Sequence, residues 1–212
     1  MNKKRFITFG CSHPFGQGLP DCIGNSSKYA PGPYPSKYSF AALISKDLDM
    51  QNVNLSRPGS SNKEIAYKVN KFAFEKDDIV LLHWTHSERS CVLNSHEPSI
   101  IGPWCTDKKS KLFYQHFNTN EEIEFNNKIL ISWANYYLAQ KVSKIINTKP
   151  FSFLSNVNTD FKSENVEFLN NTINDYTIDY GADDAHPGVK SHRDFAKYIC
   201  NEIKEKYYNY FK

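Results

Sequence analysis

Three residues of this sequence have the types and the spacing of a nucleophile with its base. Ser12 lies three positions after the apolar run RFITF, and Asp183 precedes His186 by three positions in the segment DDAHPG. A histidine acts as a general base when a carboxylate holds one ring nitrogen, because the other nitrogen then accepts a proton from a hydroxyl group. The pattern therefore indicates nucleophilic chemistry at Ser12, with His186 as the base and Asp183 orienting it.

Each of these residues also has an ordinary structural interpretation. Ser12 and the glycines around it suit a tight turn after a strand, and His186 suits an exposed position at the start of a helix. Asp183 and Asp184 would complement the dipole of that helix. Asp184 is also a second candidate for the partner of His186, since a spacing of two residues lets a carboxylate reach the ring.

The elements that would position these residues follow from the periodicity of the sequence. Short runs of β-forming residues predict strands at 5–9, 51–55, 78–84 and 150–154, and apolar residues at helical spacing predict helices at 38–50, 61–74, 131–146 and 188–211. Ser61 and Glu64 have the spacing of a capping box at the start of the second helix. Strands separated by helices require parallel pairing. The sequence therefore predicts a three-layer α/β/α sandwich with a mostly parallel, flavodoxin-like sheet.

Two long connections fit no regular element. Residues 13–37 are rich in Gly and Pro and follow the first strand, whereas residues 89–125 follow the third. Both begin at the carboxyl ends of strands, where open parallel sheets bind their ligands. We expect a single domain over 1–212, with these two connections as the loops of the active site.

Composition argues against several classes of protein. The 212 residues carry 26 basic and 23 acidic side chains, interspersed along the chain, so no basic stripe predicts a nucleic-acid partner. No apolar window reaches the length of a membrane helix, which predicts no membrane partner. Five scattered cysteines and the lack of a leader-like N-terminus favour reduced thiols in the cytoplasm.

A metal site is not predicted. The residues that could ligate a metal ion and that lie within a single segment are His83, His86, Cys91, His96 and Cys105. Their spacings match no zinc pattern, and no cofactor is implied by any other motif.

Three motifs in order resemble the SGNH (GDSL-like) hydrolases. They are FGCSHPFGQG after the first strand, NLSRPGSSN after the second and DDAHP before the last helix. The resemblance implies a three-layer α/β esterase in which Ser12 attacks an ester, activated by His186 and Asp183. It also implies an oxyanion hole that includes the backbone amides of Ser12 and Gly59.

The third motif of the family, G-x-N-D after the third strand, is missing, because that strand leads here into THSERS. Asn62 is one candidate for the missing side-chain donor, and Thr85 and His86 are others. Arg89 is a candidate for binding a carboxylate or phosphate of the substrate, or for an ordinary surface salt bridge.

The resemblance and these residues together predict a serine esterase or acetylesterase. The polar, aromatic character of the two long connections favours a small-molecule or glycan ester as substrate. The same site would serve an acyltransferase. A scaffold that has lost its oxyanion asparagine would instead serve as a binding module.

Overall fold

The centre of the fold is a five-stranded parallel sheet with helices on both faces. The computed structural model describes residues 3–94, 98–149 and 161–206. The strands are β1 Arg5–Phe9, β2 Gln51–Asn54, β3 Ile79–His83, β4 Ser90–Val92, β5 Ser99–Ile101, β6 Lys144–Thr148 and β7 Val166–Phe168. The main sheet has the order β2-β1-β3-β6-β7, and β4 and β5 pair separately as an antiparallel ribbon.

The helices form the two outer layers. They are α1 Ser12–Phe15, α2 Phe40–Asp47, α3 Asn62–Lys71, α4 Lys108–His116, α5 Asn120–Ala139 and α6 Val189–Lys206, with a short 3-10 helix at Ile173–Tyr176. Helices α2 and α6 contribute Phe40 and Phe195 to one core, and α3 and α5 contribute Val69 and Ile131 to the other. The fold is therefore the three-layer α/β/α sandwich that the sequence predicts.

The parallel sheet explains the apolar runs in the sequence. Every residue of β3 and of β6 is buried, because helices cover both faces of these inner strands. Adjacent residues of a strand point to opposite faces, so Phe6 packs in one core and Ile7 in the other. Ligands of such sheets bind at the carboxyl ends of strands beside the reversal of strand order, here between β1 and β3.

Both predicted bounds of the helix at 131–146 are wrong. Helix α5 begins at Asn120 and ends at Ala139, and residues 144–148 form β6. Ile145 and Ile146 pack in opposite cores, as neighbours in a strand do. A short apolar run looks the same in a strand and in a buried helix, so the helical pattern continued into β6.

The two long connections differ in structure. Residues 13–37 are mostly irregular, as predicted, and contain α1 at their start and an isolated bridge between Ile23 and Pro31. Residues 89–125 are more ordered than predicted, because they contain β4, β5, α4 and the first turn of α5. The predicted strand at 150–154 lies outside the described residues, as do residues 207–211 of the predicted last helix.

Within the described parts of the chain, we find no helix with the length and apolar character needed to cross a bilayer.

Candidate active site

Ser12 begins α1, a single helical turn directly after β1. Gly16 ends this turn in the left-handed conformation, and its N–H donates to the carbonyl of Ser12 at 2.9 Å. Asn54, at the end of β2, donates from its side chain to the carbonyl of Pro14 at 2.7 Å. The turn that carries Ser12 is therefore held against the carboxyl end of the sheet.

His186 lies in a closed loop before α6. Asp179 begins this loop and accepts the N–H groups of Lys190 and Ser191 at 3.0 and 2.8 Å, which caps the start of α6. Across the loop, the N–H of Gly181 donates to the carbonyl of His186 at 2.8 Å. These hydrogen bonds close the loop that carries His186 and join it to the start of α6.

Asp183 and His186 form a tight pair within this loop. Asp183 Oδ2 lies 2.6 Å from His186 Nδ1, and Asp183 Oδ1 accepts the N–H groups of Ala185 and His186 at 3.1 and 3.0 Å. Burial by itself would raise the pKa of Asp183, but hydrogen bonds from the backbone and ring of His186 and from Ala185 hold it below its usual value. An ionised carboxylate only accepts hydrogen bonds, so Nδ1 of His186 carries the proton in this contact, and Nε2 is the ring nitrogen left to exchange a proton with a substrate or a nucleophile.

Asp184 points away from this pair. Its backbone has a φ of +56°, and its exposed carboxylate binds Lys28 Nζ at 2.8 Å. Asp183, by contrast, is 1% exposed. The geometry therefore gives His186 one carboxylate partner, which is Asp183.

Gly18 joins the loop of Ser12 to the loop of Asp183. Its carbonyl accepts the N–H of Ala182 at 2.8 Å, and its φ is +84°. A Cβ at Gly18 would lie 2.6 Å from Asp183 Oδ1, so only glycine allows this approach. Sequence reasoning missed this role, although the segment GQGLP marks a turn here.

His13 lies between His186 and His83 of β3. Its ring centroid is 5.6 Å from that of His186 and 5.8 Å from that of His83, both edge to face. Burial, with smaller contributions from the neighbouring histidines, holds the pKa of His13 well below its usual value, so its ring is neutral. Ser12 therefore follows the sheet on a turn whose next residue packs against the base.

Ser12 and His186 are not hydrogen-bonded to each other. Among the described residues, Ser12 Oγ has no hydrogen-bond partner. A serine hydroxyl reorients by rotation about one bond, and catalytic hydrogen bonds in unliganded enzymes are often long. The predicted proton transfer between these two residues stays a prediction.

Gly59 lies in the connection after β2, two residues after Arg57. The N–H of Arg57 donates to the carbonyl of Gly10 at 3.1 Å, which fixes this connection next to the end of β1. Gly59 has a φ of +81°, a conformation that favours glycine. Within the described residues, the N–H groups of Ser12 and Gly59 have no acceptor.

Asn62 supports the connection after β3. Its Nδ2 donates to the carbonyl of Thr85 at 3.1 Å and to Asn127 Oδ1 at 2.6 Å, and its Oδ1 accepts the N–H of Thr85 at 2.8 Å. Both amide hydrogens are therefore engaged in a buried network. Asn62 is 3% exposed and presents no further donor to a substrate.

His86 and Arg89 follow Thr85 in this connection. His86 Nδ1 lies 3.5 Å from Glu88 Oε1, and burial, followed by the charge of Arg89, lowers the pKa of His86. Arg89 Nη1 donates to Cys11 Sγ at 2.9 Å and to Thr85 Oγ1 at 3.1 Å. Of the side chains predicted to bind substrate, Arg89 is thus placed beside the residue that precedes Ser12.

Several of the solved structures similar to this chain are carbohydrate esterases. An acetyl xylan esterase from the rumen bacterium Butyrivibrio proteoclasticus has a TM-score of 0.63 and 16% identity over 99% of this chain. A family two carbohydrate esterase from Clostridium thermocellum, in complex with cellohexaose, has a TM-score of 0.60 and 16% identity over 99%. A family two carbohydrate esterase from Cellvibrio japonicus has a TM-score of 0.60 and 10% identity over 100%.

These carbohydrate esterases are SGNH hydrolases. The chain has the SGNH hydrolase fold. It spans 66%, 66% and 64% of the lengths of the three proteins, in the order given. No family model matches the sequence, and no curated protein matches it.

On the SGNH fold, the expected third oxyanion donor would follow β3, where this chain has Thr85 and His86. Asn62 is committed to Thr85 and Asn127, so we assign it a supporting role in place of the predicted oxyanion contact. Thr85 is 3% exposed, and its Oγ1 accepts from Arg89. No motif predicted this network, because Asn127 lies 65 positions from Asn62.

In the part of the chain that the structure describes, no three His, Cys, Asp or Glu side chains converge in a way that could hold a metal ion.

Proposed function

We propose that this protein is a serine esterase whose nucleophile is Ser12. The observation that carries the proposal is the pair Asp183–His186, with its protonated Nδ1 bound to a buried carboxylate. The ring of His186 packs against His13, the residue after Ser12. These are the parts of a general base with its orienting acid, next to a hydroxyl nucleophile.

The reaction follows from these positions. Ser12 Oγ attacks the acyl carbonyl and gives its proton to His186 Nε2, while Asp183 stabilises the positive ring. The C–O bond to the alcohol then breaks, and the alcohol leaves with the proton from Nε2. A water molecule, deprotonated by the same nitrogen, then attacks the acyl carbon; the bond from this carbon to Ser12 Oγ breaks, the acid leaves, and Nε2 returns the proton to Oγ.

The negative oxygen of the tetrahedral intermediate requires hydrogen-bond donors. The N–H groups of Ser12 and Gly59 have no acceptor among the described residues, which makes them suitable for this role. Arg57, two residues before Gly59, is held at the end of β1 by its contact with Gly10. Both amides therefore support the proposed oxyanion hole.

The proposed substrate is an acyl ester of a small polar molecule or a carbohydrate. The similar structures are an acetyl xylan esterase and two carbohydrate esterases, one of them bound to cellohexaose. Acetyl esters of sugars are therefore the first substrates to assay. Adding an alcohol acceptor to the same assay distinguishes hydrolysis from acyl transfer, because transfer yields a new ester.

A fluorophosphonate probe tests the nucleophile directly. We expect it to label Ser12 in folded protein, and we expect Ser12→Ala to lose labelling and at least about 1000-fold of the turnover. His186→Ala should lose labelling as well. Ser27→Ala, which changes an exposed serine of the same connection, is the matched control and should keep both. Folded wild-type protein that resists the probe would contradict the proposal.

A binding module is the second candidate function. The engagement of Asn62 with Thr85 and Asn127 favours it, because one of the three candidates for the side-chain donor of the family is then occupied. Calorimetry with cellohexaose separates the two functions. Binding without turnover, in protein whose Ser12 does not react, would favour the module.

A further inference from the structure

Arg89 is placed beside the proposed nucleophile without a carboxylate partner. Its Nη1 is bound to Cys11 Sγ and Thr85 Oγ1, two neutral atoms, and its guanidinium carbon lies 4.8 Å from the centre of the Trp104 ring. Arg5 and Arg57 differ, because each binds a buried carboxylate, that of Asp78 and of Glu64 respectively. Within the described chain, no Asp or Glu oxygen lies within 4.0 Å of the Arg89 guanidinium.

One edge of this guanidinium has no hydrogen-bond partner among the described residues. Nη1 uses its two hydrogens on Cys11 and Thr85, whereas Nε and Nη2 donate to no described residue. These two nitrogens form the fork that binds two oxygens of a carboxylate side by side. A half-buried cation with an unused fork is a binding group for a planar anion.

Arg89 is one of the residues that line a cavity of about 700 Å³ between the connection after β3 and helices α4 and α5. This volume is within the usual range for a small-molecule site. Lys63 and Arg89 line it as cations and Glu122 as an anion, and Phe113 and Phe117 supply apolar walls. The balance of these charges is positive, so the cavity favours an anion.

We propose that this cavity is a subsite for a carboxylate of the substrate, bound by Nε and Nη2 of Arg89. The proposal rests on the proposed esterase function and adds a substrate class, an ester that carries a carboxylate. Arg89 contacts Cys11, the residue before Ser12, so one residue of the cavity lining reaches the chain segment that carries Ser12. Trp104, which packs on Arg89, also lies near Gly59 of the proposed oxyanion hole.

Two pairs of esters test the subsite and show which side of the ester carries the charge. The first pair is acetylated glucose and acetylated glucuronate, and the second is 4-nitrophenyl butyrate and 4-nitrophenyl hemisuccinate. We expect wild-type kcat/KM to favour the charged member of one pair by about 10- to 100-fold, the usual effect of a hydrogen-bonded ion pair. Arg89→Met should remove this preference, and Arg89→Lys should keep part of it.

Arg193→Met is the matched control, because Arg193 is exposed on α6 and does not line the cavity. It should leave the preference unchanged. Fluorophosphonate labelling of Ser12 in every variant shows that the fold and the nucleophile are intact. Equal rates on both members of both pairs, or a preference that survives Arg89→Met, would overturn the subsite while leaving the esterase proposal in place.

Calorimetry with glucuronate, glucose and succinate measures the same subsite without turnover. We expect wild-type protein to bind one of the carboxylates and Arg89→Met to bind it at least about tenfold more weakly. If Ser12 is not labelled but this binding is seen, the esterase proposal fails and the carboxylate subsite stands. If neither carboxylate binds and neither charged ester is preferred, the subsite is wrong.

Discussion

At the scale of single residues, two neighbouring aspartates have different surroundings. Asp183 accepts two backbone N–H groups and the ring of His186, whereas Asp184 is turned outward by a positive φ and binds Lys28. The hydrogen bonds to Asp183 determine the tautomer of the base. The ion pair of Asp184 with Lys28 lies at the surface, where such a pair contributes little to the stability of the fold.

This difference makes Asp183→Asn and Asp184→Asn a matched pair. We expect Asp183→Asn to reduce kcat by about 10³- to 10⁴-fold, because an amide can hold the ring in the wrong tautomer. Asp184→Asn should change kcat by less than about twofold, since its partner is an exposed lysine. Steady-state kinetics on an acetyl ester measure both. Equal losses in the two variants would show that Asp183 is not the orienting acid.

At the scale of elements, the first residues of α3 bind the connection after β2, which contains Gly59. Ser61 caps the helix by accepting the N–H of Glu64 at 3.2 Å, which confirms the cap predicted from the sequence. The carboxylate of Glu64 does not complete the capping box. It binds Arg57 through two bonds, at 2.8 and 2.5 Å, and Lys68 at 3.0 Å. Burial alone would raise the pKa of Glu64, but Arg57 and Lys68 hold it below its usual value.

Glu64→Gln tests this buried ion pair. We expect it to lower the free energy of unfolding by about 2–3 kcal/mol, at or below the usual cost of breaking a buried pair, because Arg57 and Lys68 are partly exposed and can be hydrated. Asp47→Asn removes a pair with Lys204 whose side chains are both about half exposed, and should cost less than about 0.5 kcal/mol. Urea denaturation of both variants measures the difference. Similar costs would mean that the buried pair adds nothing to the stability of α3.

At the scale of the whole molecule, two neutral histidines lie inside the packed layers. Burial lowers the pKa values of His83 and His192 to about 3. His192 Nδ1 accepts the N–H of Phe40 at 3.0 Å, so a proton there would break the contact with the start of α2. The titratable groups that interact electrostatically with His192 include Asp179, His186, His83 and His13.

Acid should therefore destabilise the fold before the carboxylates titrate. The pKa of an unfolded histidine is about 6.5, so the unfolded chain binds protons below that pH while His83 and His192 stay neutral in the folded chain. The contribution of these histidines to the free energy of unfolding is then constant above about pH 7. It decreases as the pH falls below about 6.5, and it stops decreasing near pH 3, where the folded histidines also bind protons. Urea denaturation at pH 7.5 and pH 5.5 measures the change.

His192→Asn provides the test of that cause. Its side-chain oxygen can accept the N–H of Phe40 but takes up no proton in this range, so we expect a smaller loss of stability between pH 7.5 and pH 5.5. His116→Asn, at an exposed position of α4, should leave the loss unchanged. An unchanged loss in His192→Asn would assign the pH dependence to other groups.

Local patterns determined much of what the sequence predicts. The contact of Asp183 with His186 spans three residues of one loop, and the cap of Ser61 on Glu64 spans three residues of one helix start, so spacing alone was informative. The buried strands β1 and β3 were recognisable for a similar reason, because both faces of an inner parallel strand are apolar.

Only the tertiary structure decided the features that join distant parts of the chain. Asn62 meets Asn127 across 65 positions, and Arg89 meets Cys11 across 78. The same is true of β6, whose residues 144–148 are strand because β3 and β7 pair with them. Such contacts depend on how layers pack and not on the neighbours of a residue in sequence. The motifs therefore predicted a nucleophile with its base, whereas packing decided which side chain lies beside them.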